Sequence, residues 1–264
     1  MKDPREVLRE FDQHVRRQSV PDTPLARIER HEHVIRYISD GWSGVVWSGI
    51  DATNADAVIR AEVQRFAALA RPWEWKHYSY DEPADLPDRL RAAGFVADPA
   101  ETLLVADLAT LALDAPPPPG VEFRAVRDEQ DVAALVAVHR AAFGDDASEL
   151  GQILLAQLTS EPSIAAGVVA FVGSTPIAEA RTEFHLGTRF ASLWGGATLP
   201  AWRGRGVYRS LVAHRAALAA ARGARYLQVD AWDSSRPILE HLGFVALATT
   251  TPYLHPGGTG STLS

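Results

Sequence analysis

Apolar residues in the C-terminal half of the chain fall into short continuous runs that alternate with longer, helically spaced runs. Runs rich in Val, Ile and Phe and bounded by Gly or Pro predict strands, whereas Ala- and Leu-rich periodic runs predict helices. Strands are predicted over residues 121–126, 164–172, 177–185, 190–199 and 225–231, and helices over 128–143, 148–158, 207–222 and 234–242. This order predicts an α/β (α+β) fold with a mixed central sheet and flanking helices.

The loop between residues 199 and 207 carries the clearest chemical signal. Pro200 ends the strand because proline cannot continue a hydrogen-bond ladder, and Gly204 and Gly206 permit a tight turn and close approach to a ligand. The following helix offers free N–H groups and a partial positive charge, to which three neighbouring arginines add. The loop therefore predicts a phosphate or pyrophosphate site. It lacks the lysine of a Walker loop and the third glycine of a dinucleotide fingerprint.

A second motif, Leu242-Gly243-Phe244, follows the predicted strand 225–231. Together with Arg-Gly-Arg-Gly-Val-Tyr at 203–208, it resembles the GNAT (GCN5-related) N-acetyltransferase family over residues 121–253. The resemblance implies the acyl-CoA N-acyltransferase (GNAT) fold, acetyl-CoA as co-substrate and a gap between the last two strands that holds the pantetheine. The implied cofactor-binding residues are Ala197, Thr198, Leu199, Arg203, Gly204, Arg205, Gly206, Val207 and Tyr208.

Acyl transfer to an amine needs a general base to take a proton from the ammonium group. Strand alternation puts Glu179, Arg181, Glu183 and His185 on one face, which either lines an acceptor groove or faces water. We prefer the interpretation that this face is exposed to water. Glu183 is the preferred base because it is expected to lie nearer the phosphate loop than Glu179. Asp230, on the last predicted strand, is the rival candidate.

The proton donor for the leaving thiolate departs from the family pattern. Many members have a tyrosine where this chain has Leu239, which cannot donate a proton. Tyr208, at a position where the family has a small residue, is a substitute only if its ring turns toward the sulfur. It otherwise packs against the cofactor or the core, and water protonates the thiolate. Gly195-Gly196 fits a bulge or a close approach in the strand before the loop.

The two halves of the chain look alike around a stiff spacer with four consecutive prolines at 116–119. The run at 90–97 parallels that at 239–246, and the offset from Gly94 to Gly243 also pairs Asp81 with Asp230. An internal duplication is the preferred interpretation, and an unrelated α+β domain is the alternative. At the same offset residues 203–206 meet 54–57, Asn-Ala-Asp-Ala, which lack both glycines and both arginines.

The predicted organisation follows from this comparison. Residues 1–112 form a degenerate, partial GNAT-like domain that binds no CoA, because Asp56 would repel pyrophosphate. Residues 113–120 form a Pro-rich linker, 121–255 the catalytic domain and 256–264 a disordered tail.

Composition narrows the classes of partner. The 264 residues include no cysteine, which excludes disulfides and a cysteine acyl-enzyme, so direct transfer is expected and no metal is predicted. The net charge of −7 argues against nucleic acid. The sequence shows neither an apolar signal segment nor a membrane-length apolar run, so a cytoplasmic protein without membrane contact is expected.

The leading hypothesis is an acetyl-CoA-dependent N-acetyltransferase acting on a primary amine of a small molecule or peptide. A non-catalytic CoA-binding regulatory or interaction module is the first alternative, supported by Leu239. An RNA-binding protein that uses Arg203, Arg205, Arg209 and Arg215 as a basic strip is the second. The acceptor, the acyl-chain preference and the oligomeric state, monomer or homodimer, stay open.

Overall fold

A computed structural model describes residues 3–111, 114–144 and 147–257. Short π-helical and 3₁₀ turns occupy Asp12–Arg16 and Pro200–Trp202. The other elements are α1 (Pro4–Phe11), β1 (Arg27–Arg30), β2 (Val34–Ile38), β3 (Ser43–Ser48), α2 (Ala55–Ala67), β4 (Trp73–Tyr78), α3 (Leu86–Ala92), β5 (Val96–Ala97), β6 (Glu101–Asp107), β7 (Val121–Val126), α4 (Glu129–Phe143), α5 (Ser148–Thr159), β8 (Ala165–Val172), β9 (Thr175–Phe184), β10 (Phe190–Thr198), α6 (Val207–Ala221), β11 (Tyr226–Ala231), α7 (Arg236–His241) and β12 (Val245–His255).

The elements predicted for the C-terminal half are confirmed to within a few residues at each end. Asp128 caps α4 by accepting a hydrogen bond from the Asp131 N–H at 2.9 Å, and Gly144 ends that helix in the left-handed conformation. Among the described residues, no helix has the length and apolar character needed to span a bilayer. Part of the predicted tail, 258–264, lies outside the described residues.

The chain divides into two compact units that do not follow the predicted boundaries. Unit 1 comprises Met1–Val7, Leu104–Val229 and Ser234–Ala246, and unit 2 comprises Leu8–Leu103, Asp230–Asp233 and Leu247–Ser264. Residue 113 of the predicted linker lies outside the described residues; the remainder, 114–120, lies inside unit 1, where the Ser210 hydroxyl donates to the Pro116 carbonyl at 2.8 Å. A strand joins whichever sheet offers it hydrogen-bond partners, regardless of its place in the chain. The assignment of separate functions to the two halves stays a prediction.

Unit 1 contains a mixed sheet with the strand order β6-β11-β10-β9-β8-β7. Helix α6 covers one face, where Leu211 packs with Ala178 and Ala180 of β9. Helices α4 and α5 cover the other face through Leu135 and Leu154. Because neighbouring residues of a strand point to opposite faces, Glu179, which lies between those alanines, points toward α4 and α5.

Unit 2 contains the strand order β1-β2-β3-β4-β12, and β5 pairs with β12. Aromatic packing dominates its core: Phe66 stacks on Trp73 with ring centroids 4.1 Å apart, and Phe95 meets Trp73 edge-on at 4.9 Å. Like unit 1, this unit has an antiparallel pair followed by a parallel pair joined through a helix. The parallel pair is β3 with β4 here and β10 with β11 in unit 1.

The common offset inferred from the sequence does not hold throughout the two units. Asn54, the N-cap of α2, takes the position of Gly206, the N-cap of α6, so the counterpart of the phosphate loop is 51–54 rather than 54–57. Asp230 lies within β11, whereas Asp81 follows the end of β4, so the predicted equivalence of these aspartates is wrong. Loop lengths differ between the units, and an ungapped comparison cannot follow them.

Asp81 instead anchors a buried ion pair in unit 2. Its two carboxylate oxygens accept hydrogen bonds from Arg16 at 2.8 and 2.9 Å, and one of them also accepts the Tyr78 N–H. Burial opposes the charge on Arg16, but the attraction of Asp81 outweighs it together with smaller contributions, so the pKa of Arg16 is raised. Breaking such a pair leaves an uncompensated charge in the interior.

Replacing Asp81 with Asn should lower the free energy of unfolding by about 3 to 5 kcal/mol, because Arg16 keeps its buried charge without a counter-ion. Urea unfolding followed by tryptophan fluorescence measures the change. Asp88→Asn is the matched control, since Asp88 is 82% exposed in its pair with Arg91 and should show no measurable loss. Equal stability of both variants would rule out an anchoring role for Asp81.

Candidate functional site: a phosphate loop beside a glycine bulge

The loop from Arg203 to Gly206 leads directly into α6 and has the features of an anion site. Gly204 and Gly206 have φ values of 72° and 84°, in the left-handed region that glycine adopts without strain. A Cβ on Gly204 would meet nothing within 4 Å, so the loop faces open space. The hydrogen bonds of α6 begin with the Ser210 N–H, which donates to the Gly206 carbonyl. The N–H groups before Ser210 therefore have no partner within the helix and point out of its end.

Two of the loop arginines are held by local contacts. The Arg203 side chain donates to the Thr198 carbonyl at 3.0 Å, which ties the loop to the end of β10. Arg205 lies over the Trp202 ring at 4.8 Å from its centroid. With the helix dipole, these charges make the loop positive, as the sequence predicts.

Strand β10 carries the predicted bulge. Its register with β9 shifts between Trp194 and Ala197, and Gly195 and Gly196 have φ values of 64° and 87°. The ladder between β10 and β11 covers only Phe190 to Ser192, while β10 continues to pair with β9 as far as Thr198. The later part of β10 thus separates from β11, in agreement with the gap that the family resemblance implies.

Glu179, rather than Glu183, lies at the loop end of the sheet. Glu179 pairs with Ala197, next to the end of β10, whereas Glu183 pairs with Ser192 toward the opposite end. The reason for preferring Glu183 is therefore wrong: β9 runs antiparallel to β10, so its earlier residues lie nearer the loop. The Glu179 carboxylate presses against the bulge, because a Cβ on Gly195 would lie 2.8 Å from Oε1.

Glu179 is fully buried and only partly satisfied. Oε1 lies 3.0 Å from His139 Nδ1 on α4, while Oε2 is buried without a hydrogen-bond partner. An unpaired buried carboxylate oxygen is costly and indicates a place for a donor. Sequence reasoning missed His139, since a single histidine in a predicted helix gives no signal of its partner.

The sequence predicted that the polar face of β9 is exposed to water, and this prediction is wrong. Glu179, Arg181 and Glu183 are 0, 12 and 15% exposed, because α4 and α5 cover them. Gln157 of α5 donates to Glu183 at 3.2 Å. His185 follows the last residue of β9 and is partly buried; the loss of solvent lowers its pKa to about 4, and the ring hydrogen-bonds with the Ser192 hydroxyl.

Arg215 and Tyr208 approach the bulge from α6. Arg215 is buried and donates to the carbonyls of Arg181 and Trp194, which face each other across β9 and β10. The Tyr208 ring lies against Gly196, where a Cβ would come within 3.0 Å of it. Burial raises the pKa of Tyr208, although Arg215 opposes the shift. Leu239 is fully buried in the core.

The burial of Arg215 was predictable from its position in the helix. Arg215 continues the apolar stripe of Val207 and Leu211 at four-residue spacing, so a helix placed on a sheet must bury it. It cannot contribute to a basic surface strip, which removes one of the four arginines on which the RNA-binding alternative depends.

Asp230 belongs to unit 2 rather than to the unit that carries the phosphate loop. Its Oδ2 accepts a hydrogen bond from Lys76 at 2.7 Å, and its Oδ1 is buried without a partner. Burial opposes the charge of Lys76, but the attraction of Asp230 outweighs it together with smaller contributions and raises the lysine pKa. Among the described residues, no group of three or more His, Asp and Glu side chains is arranged to hold a metal ion.

The counterpart loop in unit 2 is already occupied by its own carboxylate. Asp51 Oδ1 accepts the N–H groups of Thr53 and Asn54 at 2.8 and 3.2 Å, and the Thr53 hydroxyl at 2.6 Å. The hydrogen bonds from Thr53 lower the pKa of Asp51. An aspartate thus lies where the loop of unit 1 leaves its amides open. The exclusion of phosphate from unit 2 stays a prediction, and Asp51 rather than Asp56 is the residue on which it now depends.

Comparison with known proteins identifies the fold. No family model and no curated protein matches the sequence. The structure is similar to a GCN5-related N-acetyltransferase from Kribbella flavida, with a TM-score of 0.70 and 19% identity over 98% of this chain and 97% of that one. It is also similar to a tandem GNAT protein from the clavulanic acid biosynthesis pathway, with a TM-score of 0.60 and 14% identity over 98% and 97%. The chain therefore has the GNAT fold.

Replacing Gly195 with Ala should lower the free energy of unfolding through two effects. The positive φ of 64° strains any side chain by about 1 to 3 kcal/mol, and contact with the Glu179 carboxylate adds about 1 to 3 kcal/mol more. Gly173→Ala is the matched control, with a φ of 59° and nothing within 4 Å of the new Cβ. Equal losses in urea unfolding would show that Glu179 does not press on the bulge.

Proposed function

We propose that this chain is an acetyl-CoA-dependent N-acetyltransferase that transfers the acetyl group directly to an amine, with its catalytic site in unit 1. The observation that carries the proposal is the fully buried Glu179 carboxylate, which has one unpartnered oxygen and lies against the glycine bulge. β10 then leads from that bulge into the phosphate loop. The GNAT fold supports the reaction class by analogy.

The residues of the loop fit a pyrophosphate. The amides from Gly204 to Tyr208 lie at the open start of α6, and Arg203 and Arg205 supply positive charge. Ala197, Thr198 and Leu199 lie at the end of β10, beyond its ladder with β11, where a pantetheine chain finds backbone partners. Acetyl-CoA would supply the activated acetyl group, and a backbone N–H group of β10 at the bulge would polarise its carbonyl.

Glu179 takes the proton from the acceptor ammonium in this proposal. Its Oε2 is the free acceptor, and His139 holds the other oxygen in place. Glu183 and Asp230 are the rival bases: Glu183 lies farther along β9 from the loop, and Asp230 is paired with Lys76. Deprotonation gives the amine the lone pair that attacks the thioester carbon.

The leaving thiolate takes its proton from Tyr208 or from water. Leu239, at the usual tyrosine position, is apolar and buried, whereas the Tyr208 ring lies at the bulge. The absence of cysteine from the sequence supports direct transfer through a ternary complex. Unit 2 is assigned a non-catalytic role, since Asp51 occupies its counterpart loop.

A CoA-binding module without turnover is the second candidate function. Leu239 favours it, because the proton donor common in the family is missing at that position. The two candidates share the phosphate loop and differ in whether CoA thiol is released.

Calorimetric titration of acetyl-CoA should reveal one site per chain, and Gly206→Glu should abolish binding by placing bulk and negative charge in the loop. Gly173→Glu is the matched control: it has the same added charge and a positive φ in an open turn, and should bind normally. A second site would contradict the assignment of unit 2. Absence of binding to the unaltered chain would exclude both functions.

Glu179→Gln should reduce kcat for amine acetylation about 100-fold or more, because the amide cannot accept the ammonium proton. Thiol release detected with a disulfide dye is a clean assay, since the chain has no thiol of its own. Glu183→Gln is the matched control on the same strand face and should retain most activity. A larger loss from Glu183→Gln would reinstate Glu183 as the base, and no release with any amine would favour the binding module.

A further inference from the structure

The strand face beside the bulge carries charges in the order negative, positive, negative. Glu179, Arg181 and Glu183 alternate along β9 and point toward α4 and α5. Same-face neighbours on a strand are about 7 Å apart, a separation that their side-chain heads can shorten. Burying three neighbouring charged side chains under two helices is costly unless each of them has hydrogen-bond partners.

The hydrogen bonds of this face are incomplete. Glu179 Oε2 and Arg181 Nε are both buried without a partner. Arg181 Nη1 lies 3.6 Å from Glu183 Oε1, which is too long for a hydrogen bond. Glu183 instead accepts a hydrogen bond from Gln157. The face therefore holds one spare acceptor and one spare donor, on adjacent side chains of opposite charge.

We propose that this face binds a zwitterionic acceptor, an α-amino acid or a close relative, with its ammonium group on Glu179 and its carboxylate on Arg181. This inference rests on the proposed function for the role of the amine as acceptor. An ammonium group satisfies the free Glu179 oxygen, and a carboxylate one carbon away receives the Arg181 N–H. Guanidinium and carboxylate match in planar geometry, which makes arginine suited to this contact.

A simple amine, which has no carboxylate, would satisfy only one of the two unpartnered groups. It would satisfy Glu179 but leave Arg181 Nε buried and unpaired. A site built to bond a group discriminates strongly against a ligand that lacks it, because the buried partner then stays unsatisfied. Arg181 thus acts as a specificity-determining residue and not as part of proton transfer.

The test compares each common amino acid with its own methyl ester, at saturating acetyl-CoA, by thiol release. At least one amino acid should react with a kcat/KM about 100-fold or more above that of its ester. Arg181→Gln should reduce kcat/KM for that amino acid by a similar factor and leave the ester nearly unchanged. Arg124→Gln, an exposed arginine of β7 paired with Glu122, is the control and should change neither. Equal rates for acids and esters would overturn the inference while leaving the transferase in place.

Calorimetric titration of each common amino acid without acetyl-CoA separates the site hypothesis from the transferase hypothesis. Binding that depends on Arg181, in a chain that releases no thiol, would support the zwitterion site and refute the transferase. Transfer to amines without any preference for a carboxylate, or no binding of any amino acid, would refute the site. If Arg181→Gln fails to fold, the acid and ester rates of the unaltered chain decide the question alone.

Discussion

Unit 1 is organised around the contact between the Glu179 carboxylate and the two-glycine bulge of β10. A buried carboxylate is costly unless its surroundings compensate its charge, and here three elements contribute: His139 on α4 hydrogen-bonds to one oxygen, the bulge of β10 packs against the carboxylate, and the charge of Arg215 on α6 lies nearby. A side chain at position 195 would occupy the space of the carboxylate. The glycines, the two helices and the charge are therefore interdependent, and a change in one alters the environment of the others.

The two units share a layout of strands and helix but differ in the charge of the loop that precedes the helix. Both have a parallel strand pair joined through a helix whose start lies after a short loop. In unit 1 that loop leaves its amides open between glycines, and in unit 2 Asp51 fills the equivalent place with its own carboxylate. A few side chains at one loop thus give the two units different local charge and different open backbone N–H groups, with little change in the backbone architecture.

Much of the fold was predictable because local signals agree with the tertiary structure. Asp128 and Gly144 begin and end α4 as capping chemistry predicts, and the bulge at Gly195-Gly196 follows from two adjacent glycines in a strand. Two of the wrong predictions depended on strand direction and on loop length, which the local sequence does not specify. The preference for Glu183 over Glu179 required the direction of β9 against β10, and the equivalence of Asp81 and Asp230 required loop lengths that an ungapped comparison lacks.

The sequence by itself determined the positive loop before α6, the glycines that open it and the elements on either side, because these depend on residues close together in the chain. Only the tertiary structure decided which charges are buried and which meet. His139 and Glu179 are brought together by the packing of α4 on β9, and Arg215 reaches the carbonyls of two strands because α6 crosses the opposite face. Such contacts join distant parts of the chain, and hydrophobic pattern specifies the face of an element but not its partner.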